Sequence, residues 1–164
     1  MLAKPKVYIE TTIISYLTAR PSNELLIGAH QELTNKWWNT KKDEFDLYVS
    51  ELVIQEAGSG DEYAAKRRIE SLELLPRLKF DVLSRNLAAK LARATQLPVR
   101  AAADAAHIAI AVANGMDYLL TWNCRHIANA QLRRTIEEVC ELQGFSAPII
   151  CTPEELMENL SDDT

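Results

Sequence analysis

The sequence has 164 residues, a length typical of one domain with a sizeable hydrophobic core. Hydrophobic residues make up 48 % and charged residues 25 %, as in ordinary globular proteins, and no apolar run approaches the roughly 20 residues of a membrane span. The net charge of -5 argues against broad electrostatic adhesion to nucleic acid, and three cysteines without paired spacing suit a reducing cytoplasm better than a disulfide framework. We therefore expect a single cytoplasmic domain over residues 1–164 without a membrane segment.

Short apolar segments alternate with helical patterns along the chain. The predicted strands are rich in apolar or β-branched residues, as strands buried on both faces tend to be, and they span residues 6–10, 46–50, 117–122 and 147–151. The predicted helices occupy residues 24–40, 51–57, 61–73, 85–96, 101–114 and 127–143. Strands that alternate with helices imply right-handed crossovers, so we predict an α/β fold: a three-layer α/β/α sandwich with a central parallel sheet.

Capping residues mark several of the predicted helix boundaries. Asp61 and Ser84 are predicted N-caps of the helices that follow them, and Gly144 ends the helix over 127–143. The segment "TPEE" at 152–155 has the pattern of a capping box and predicts that a further helix begins there. The last four residues, "SDDT", are predicted to be a frayed tail.

One predicted helix carries a carboxylate among residues that are suited to burial. Residues 103–115 read "ADAAHIAIAVANG", and the apolar side chains point in different directions, so no face of the helix is left polar. An unpaired carboxylate in such a place costs several kcal/mol or takes up a proton. Asp104 must therefore lie at an exposed end, meet a partner or hold a cation. The simplest alternative is a first-turn aspartate favoured by the helix dipole.

Four polar residues are expected to meet at one edge of the predicted sheet. Glu10 ends the first strand, Asn123 follows the third, Glu56 lies on the helix entered from the second strand, and Asp104 opens the helix that leads back to the third strand. Ligands of parallel sheets bind outside the carboxyl ends of the strands. Each residue also has an ordinary explanation, as a strand end, a helix surface or a turn. Clustered carboxylates repel unless a cation lies among them, and oxygen ligands favour Mg²⁺ or Mn²⁺.

Three segments together resemble the PIN-domain ribonucleases, and most closely the small bacterial toxins of VapC type. They are "YIETTIISYL", "SELVIQEAG" and "DAAHIAIAVANGMDYLLTWNCRHI", and the resemblance extends from residue 6 to about residue 152. It implies a PIN-like fold and a metal-dependent endoribonuclease that acts on RNA, is usually dimeric and is usually neutralised by an antitoxin protein. It also implies catalytic roles for Glu10, Glu56, Asp104 and Asn123, with Mg²⁺ or Mn²⁺ held by Glu10, Asp104 and Asn123.

Two of these positions depart from the usual pattern of the family. Glu10 stands where an aspartate is usual and is one methylene longer, whereas Asn123 replaces an acid and keeps only an oxygen ligand. Three carboxylates in place of four should weaken metal binding, because affinity rises with ligand charge. A catalytically decayed PIN-like module that binds RNA or protein is therefore the alternative function. Metal-dependent cleavage of RNA separates the two.

Several neighbouring residues have expected supporting roles. Thr11, Thr12 and Thr121 offer hydroxyls that could hold the carboxylates or a phosphate. His107 lies one helical turn from Asp104 and is expected to be either a buried structural histidine or a hydrogen-bond partner of a ligand carboxylate, and the same alternatives apply to His126.

The adjacent tryptophans Trp37 and Trp38 point about 100° apart on a helix. We expect one to pack inside and the other to lie on the surface, where it could also contact a partner. A phosphotransfer domain of similar build is disfavoured, because it needs an aspartate nucleophile directly after a strand and this chain has "IETT" there.

Overall fold

A five-stranded sheet runs through the protein, whose computed structural model describes residues 2–158. Its strands are β1 (Lys6–Ile9), β2 (Asp46–Ser50), β3 (Arg77–Leu78), β4 (Tyr118–Leu120) and β5 (Ile149–Cys151). They lie in the order β3-β2-β1-β4-β5, and every neighbouring pair is parallel. Because the order reverses between β1 and β4, the carboxyl ends of these two strands flank the crevice where ligands of such sheets bind.

Helices pack on this sheet in two sets, which confirms the predicted three-layer α/β/α fold. The helices are α1 (Thr11–Thr18), α2 (Leu25–Thr40), α3 (Glu51–Ala57), α4 (Glu62–Leu72), α5 (Val82–Thr95), α6 (Ala102–Ala113) and α7 (Ala130–Leu142). In one set α1 contacts α2, α3 and α4, and in the other α5 contacts α6 and α7. Short 3-10 turns precede β2 and α6.

The most buried helix is α6. Every residue from Ala105 to Val112 is buried, so the predicted absence of a polar face is confirmed. Alanine has no side chain beyond Cβ, which lets α5 approach closely while the opposite side of α6 faces β4. The helix thus fixes the position of the two polar residues that it carries, Asp104 in its first turn and His107 one turn later.

Two helix starts differ from the sequence prediction. Helix α5 begins at Val82, because Asp81 rather than Ser84 is its N-cap: the Asp81 carboxylate accepts hydrogen bonds from the amide and hydroxyl of Ser84, at 3.0 and 2.9 Å. Helix α7 begins at Ala130 and not at residue 127, because the side chain of Asn129 caps it by accepting from the Gln131 amide.

The predicted helix after Thr152 is wrong for the part of the chain that the structure describes. The Thr152 amide donates to the Glu155 carboxylate at 2.8 Å, as in a capping box, but residues 153–156 form turns. The carbonyl of Leu156 instead accepts a hydrogen bond from the Trp37 indole, at 3.1 Å, so a tertiary contact engages this segment. The predicted frayed tail lies outside the described residues.

Two elements were not predicted. Helix α1 is hidden because its sequence, "TTIISYLT", is rich in β-branched residues, which are more typical of strands. Strand β3 has only two residues, too few for a recognisable pattern. Helix α1 matters for the site because it begins beside Glu10, and β3 extends the sheet beyond β2.

The cysteines and tryptophans agree with expectation. All three cysteines are free, with Cys124 exposed and the other two buried. Trp37 is fully buried, whereas Trp38 is partly exposed and lies under the Lys42 ammonium group, 4.9 Å from its ring centre. Across residues 2–158, we find no helix whose length and apolar character would let it cross a membrane.

Candidate active site

Glu10 lies at the junction of β1 and α1, on the edge of the sheet where its order reverses. The residue is 3 % exposed, and Oε1 accepts hydrogen bonds from the hydroxyls of Thr12 and Thr121, both at 2.5 Å. Oε2 accepts from the Thr12 amide at 3.2 Å, which makes Glu10 the N-cap of α1. A buried carboxylate is costly unless its oxygens are hydrogen-bonded, so these donors satisfy the group and fix its orientation.

The same two threonines join the ends of β1 and β4. The Thr12 hydroxyl accepts from the Trp122 amide and the Thr121 hydroxyl accepts from the Asn123 amide, both at 2.9 Å. Each hydroxyl therefore donates to Glu10 and accepts from the loop that follows β4. The loop cannot shift without breaking contacts to the carboxylate.

Glu56 approaches from α3, which begins where β2 ends. Its Oε1 accepts from the Thr11 hydroxyl at 2.6 Å and lies 2.6 Å from Nε2 of His107. Partial burial by itself raises the pKa of Glu56, but the hydrogen bond from His107, the charge that His107 carries when protonated and the Thr11 hydroxyl outweigh burial and lower the pKa. About a third of the side chain is exposed, at 35 %.

His107 connects Glu56 to two buried hydroxyl groups. Its Nδ1 lies 2.7 Å from the Tyr8 hydroxyl, which lies 2.8 Å from Oγ of Ser50. Ser50 Oγ accepts from the Val53 amide at 3.1 Å and so caps α3. Burial raises the pKa of Tyr8 well above its ordinary value, which its bond from Ser50 only partly offsets, so the phenol keeps its proton.

Asp104 has two partners from the loop after β4. Oδ1 accepts from the Asn123 side-chain amide at 3.0 Å, and Oδ2 lies 2.9 Å from Nδ1 of His126. The Asn123 side-chain oxygen accepts from the His126 amide, also at 3.0 Å, and closes the turn. The carboxylate on the buried helix is thus paired, and it is 21 % exposed.

These contacts form two adjoining groups on one edge of the sheet. In the first, Glu10, Glu56 and His107 each offer an atom within 4.8 Å of the others, close enough to share one metal ion. In the second, Asp104 binds Asn123, whose backbone amide is tied through Thr121 to Glu10. The site is therefore built by β1, α3, α6 and the loop after β4.

All of the predicted site residues lie on this edge. Thr11, Thr12 and Thr121 hold the two glutamates, and His107 bonds to Glu56 and not to Asp104 on its own helix. Direct ligation of a metal by Glu10, Asp104 and Asn123 stays a prediction.

Sequence reasoning did not find Tyr8 and Ser50. The available signal was a tyrosine inside a strand buried on both faces, because a buried phenol needs a hydrogen-bond partner.

Comparison with known families identifies the chain. The model of the PIN domain matches residues 7–131, which contain every residue of the site described above. The chain belongs to the PIN domain family. A search of curated proteins gave no match to this PIN domain.

Solved structures with the same fold are distant in sequence. VapBC2 from Rickettsia felis, bound to a DNA fragment from its promoter, has a TM-score of 0.52 and 14 % identity, and the match covers 90 % of this chain and 98 % of that one. VapC20 from Mycobacterium tuberculosis, a Sarcin-Ricin loop cleaving toxin, has a TM-score of 0.55 and 12 % identity over 78 % and 93 %. DNA-bound VapBC from Salmonella typhimurium has a TM-score of 0.53 and 14 % identity over 91 % and 98 %.

Proposed function

We propose that this PIN domain is a divalent-metal-dependent endoribonuclease and the toxin of a type II toxin–antitoxin pair. The observation that carries the proposal is the approach of two carboxylates, Glu10 and Glu56, to within 4.8 Å at the crevice between β1 and β4. Two carboxylates that close together repel each other, and a cation between them removes the repulsion. The crevice is also the place where parallel sheets of this topology bind their ligands.

The carboxylate oxygens at this site are suitable ligands for a hard cation. In each glutamate, Oε1 accepts two hydrogen bonds from neighbouring side chains, whereas Oε2 accepts one long bond in Glu10 and none in Glu56 among the described residues. The Oε2 atoms are therefore available as ligands. Carboxylate oxygens favour Mg²⁺ or Mn²⁺ over softer metals.

Glu10 and Glu56 would have different roles in phosphodiester hydrolysis. Bound Mg²⁺ or Mn²⁺ supplies a coordinated water of lowered pKa and neutralises charge that develops on the phosphate. Glu10, held by Thr12 and Thr121, would hold the cation with little freedom to move. Glu56 is partly exposed and its lowered pKa keeps it ionised, so it would bind the cation and orient the attacking water; the same shift makes it a weaker base for removing a proton from that water.

Asp104 and Asn123 form the flank of the proposed site. Asp104 is predicted to bind the metal directly and Asn123 to bind it directly or through water, and their mutual hydrogen bond holds them side by side for that role. His126, 17 % exposed, orients the Asp104 carboxylate from the other side.

The partners of the toxin are proposed from the structural neighbours. The neighbours from Rickettsia felis and Salmonella typhimurium are VapBC assemblies bound to DNA, and VapC20 cleaves the Sarcin-Ricin loop. We infer that this chain acts on RNA, pairs with a small antitoxin and forms a homodimer. Co-expression with the product of an adjacent small open reading frame, followed by size-exclusion chromatography, tests both assemblies.

RNA cleavage by the purified protein tests the activity. We expect cleavage with Mg²⁺ or Mn²⁺ that EDTA abolishes, and we expect Glu10→Gln and Glu56→Gln to lower the rate at least about 100-fold, because each removes a charged ligand. Glu62→Gln, on the exposed first turn of α4, is the matched control and should cleave normally. Cleavage that persists in EDTA, or that survives both substitutions, contradicts the proposal.

The alternative function is a decayed PIN-like module that binds RNA or protein without cleaving it. The observation in its favour is Asn123, whose side-chain nitrogen donates to Asp104 and whose oxygen accepts from the His126 amide. This alternative predicts RNA binding that is unchanged by EDTA, with no cleavage product for the protein or its variants.

A further inference from the structure

A buried chain of hydrogen bonds lies behind Glu56 and is not explained by metal binding alone. It runs from Ser50 to Tyr8 to His107 and ends on Oε1 of Glu56, and we call it the Ser50–Tyr8–His107 chain. Its three members are 0 to 1 % exposed and come from β2, β1 and α6. The bulk solvent therefore cannot replace any of these bonds.

The direction of the hydrogen bonds follows from the serine. Ser50 Oγ already accepts the Val53 amide, and its remaining contact among residues 2–158 is the Tyr8 hydroxyl. If Tyr8 donated to Ser50, the serine hydrogen would have no acceptor, and a buried unpaired donor costs about 1–3 kcal/mol. Ser50 therefore donates to Tyr8.

The Tyr8 hydroxyl in turn donates its hydrogen bond to His107. A tyrosine hydroxyl is protonated at neutral pH, and among residues 2–158 the one remaining partner of the Tyr8 hydroxyl is Nδ1 of His107. Nδ1 is thus an acceptor, and a neutral imidazole with Nδ1 as acceptor carries its proton on Nε2. That proton points at a Glu56 oxygen that is 2.6 Å away.

Metal ligation by His107 is incompatible with this arrangement. An imidazole nitrogen binds a metal through its lone pair, which Nε2 lacks when it is protonated. Although His107 lies close enough to share an ion with Glu10 and Glu56, it serves as a donor to Glu56.

We propose that Tyr8 and Ser50 are positioning residues that keep the Nε2 proton of His107 on Glu56 and so exclude His107 from the ligands of the metal. This inference rests on the proposed metal site. Its consequence is metal selectivity: the ligands that remain are oxygens, which suit Mg²⁺ and Mn²⁺, whereas an imidazole ligand would favour Zn²⁺.

Tyr8→Phe tests the proposal, because it removes only the hydroxyl that donates to Nδ1. Nδ1 can then take the proton, which frees the Nε2 lone pair for a metal. We expect the ratio of the Kd for Mn²⁺ to the Kd for Zn²⁺ to rise about tenfold, the lower end of the usual effect of residues that orient metal ligands. Isothermal titration with each metal alone measures both constants.

The control and the background variant come from the same chain. Tyr48→Phe removes a hydroxyl from the residue paired with Tyr8 on the neighbouring strand, and Tyr48 makes no hydrogen bond through its hydroxyl among the described residues. We expect it to leave the ratio unchanged. All proteins carry Cys124→Ser, because Cys124 is exposed and thiolates bind zinc.

Nitrogen NMR of the histidine rings reads the proton position directly in the wild-type protein, and variants are needed only to assign its signals. The chain has three histidines, so single substitutions of His30 and His126 assign the His107 signals. We expect Nε2 of His107 to carry a proton in the wild-type protein both without metal and with Mg²⁺. An unprotonated Nε2, or one ligated by the metal, overturns the proposal, as does an unchanged metal ratio in Tyr8→Phe.

Neither the metal titration nor the NMR measurement uses RNA. The positioning roles of Tyr8 and Ser50 can therefore be tested independently of the proposed nuclease activity. A protein with the expected proton position and metal ratios that cleaves no RNA supports the positioning roles and contradicts the proposed nuclease activity. A protein that cleaves RNA but whose His107 Nε2 is unprotonated supports the proposed nuclease activity and contradicts the positioning roles.

Discussion

At the scale of single residues, the longer acid at position 10 is explained by its contacts. The Glu10 carboxylate reaches back to the Thr12 amide and across to the Thr121 hydroxyl of the neighbouring strand end. An aspartate is one methylene shorter and could not make the same set of contacts from the same backbone position. The glutamate thus links α1 to the loop after β4.

Asn123→Asp restores the fourth acid of the usual family pattern. It replaces the amide that donates to Asp104 at 3.0 Å with a second carboxylate, so repulsion takes the place of a hydrogen bond. We expect a lower melting temperature in EDTA and a lower Mg²⁺ concentration for half-maximal cleavage, because each added charge tightens binding of a hard cation.

A metal titration of activity and a thermal melt in EDTA check this for both proteins. Asn114→Asp is the matched control, since Asn114 lies at the far end of α6 and bonds to the Ile110 carbonyl of its own helix. If Asn123→Asp needs as much Mg²⁺ as the wild type and melts at the same temperature without metal, Asn123 is only a turn residue.

At the scale of elements, the site depends on how helices begin. Glu10 caps α1, Ser50 caps α3, and Asp104 lies in the first turn of α6. The amides of a first helical turn have no partner within the helix, and the N-terminus is the positive end of the helix dipole. Three helix N-termini at one edge of the sheet therefore stabilise negative charge there, both that of the carboxylates and that of an anionic substrate.

Helix α5 ends in a conformation that suits glycine better than glutamine. Gln96 has φ 55° and is the one non-glycine residue with positive φ in the described part of the chain. We expect Gln96→Gly to stabilise the protein by about 0.5–1 kcal/mol, because glycine has no Cβ to strain this conformation. Urea denaturation measures the change.

Gln96→Ala is the matched control for the C-cap of α5. It removes the same side chain and keeps Cβ, so it should give no gain in stability. A gain equal to that of glycine would show that the glutamine side chain, and not the backbone conformation, was unfavourable.

At the scale of the whole molecule, metal binding should couple to folding. The ends of β1, β2 and β4 meet at the site only in the folded chain, so the unfolded chain offers no comparable ligand set. A ligand at 100 times its Kd stabilises the folded state by about 2.7 kcal/mol. For a chain of this size we expect the melting temperature to rise about 5–10 °C.

Thermal melts with saturating Mn²⁺ and with EDTA measure this coupling. Glu10→Gln should lose most of the metal-induced shift, whereas Glu62→Gln should keep it. Equal shifts in the two variants would place the bound metal somewhere other than the crevice between β1 and β4.

Much of the fold and part of the site could be predicted from the sequence. Periodicity located four of the strands, and the alternation of strands with helices predicted the parallel sheet. Because carboxyl ends of parallel strands share an edge, Glu10, Glu56, Asp104 and Asn123 could be assigned to one place from their positions along the chain. The sequence could not reveal α1, whose β-branched residues are held in a helix by packing of Ile13 and Ile14 in the core.

The sequence by itself determined the class of fold, the order of most elements and the edge of the sheet where the acids meet, since these depend on local patterns and simple rules of topology. The tertiary structure alone decided which side chains pair within that edge. Tyr8 meets Ser50 across 42 residues and His107 across 99, and Glu10 meets Thr121 across 111. Such contacts depend on strand register and side-chain direction, which residue spacing does not encode. The pairing of His107 with Glu56, and not with Asp104 on its own helix, is therefore a property of the folded chain.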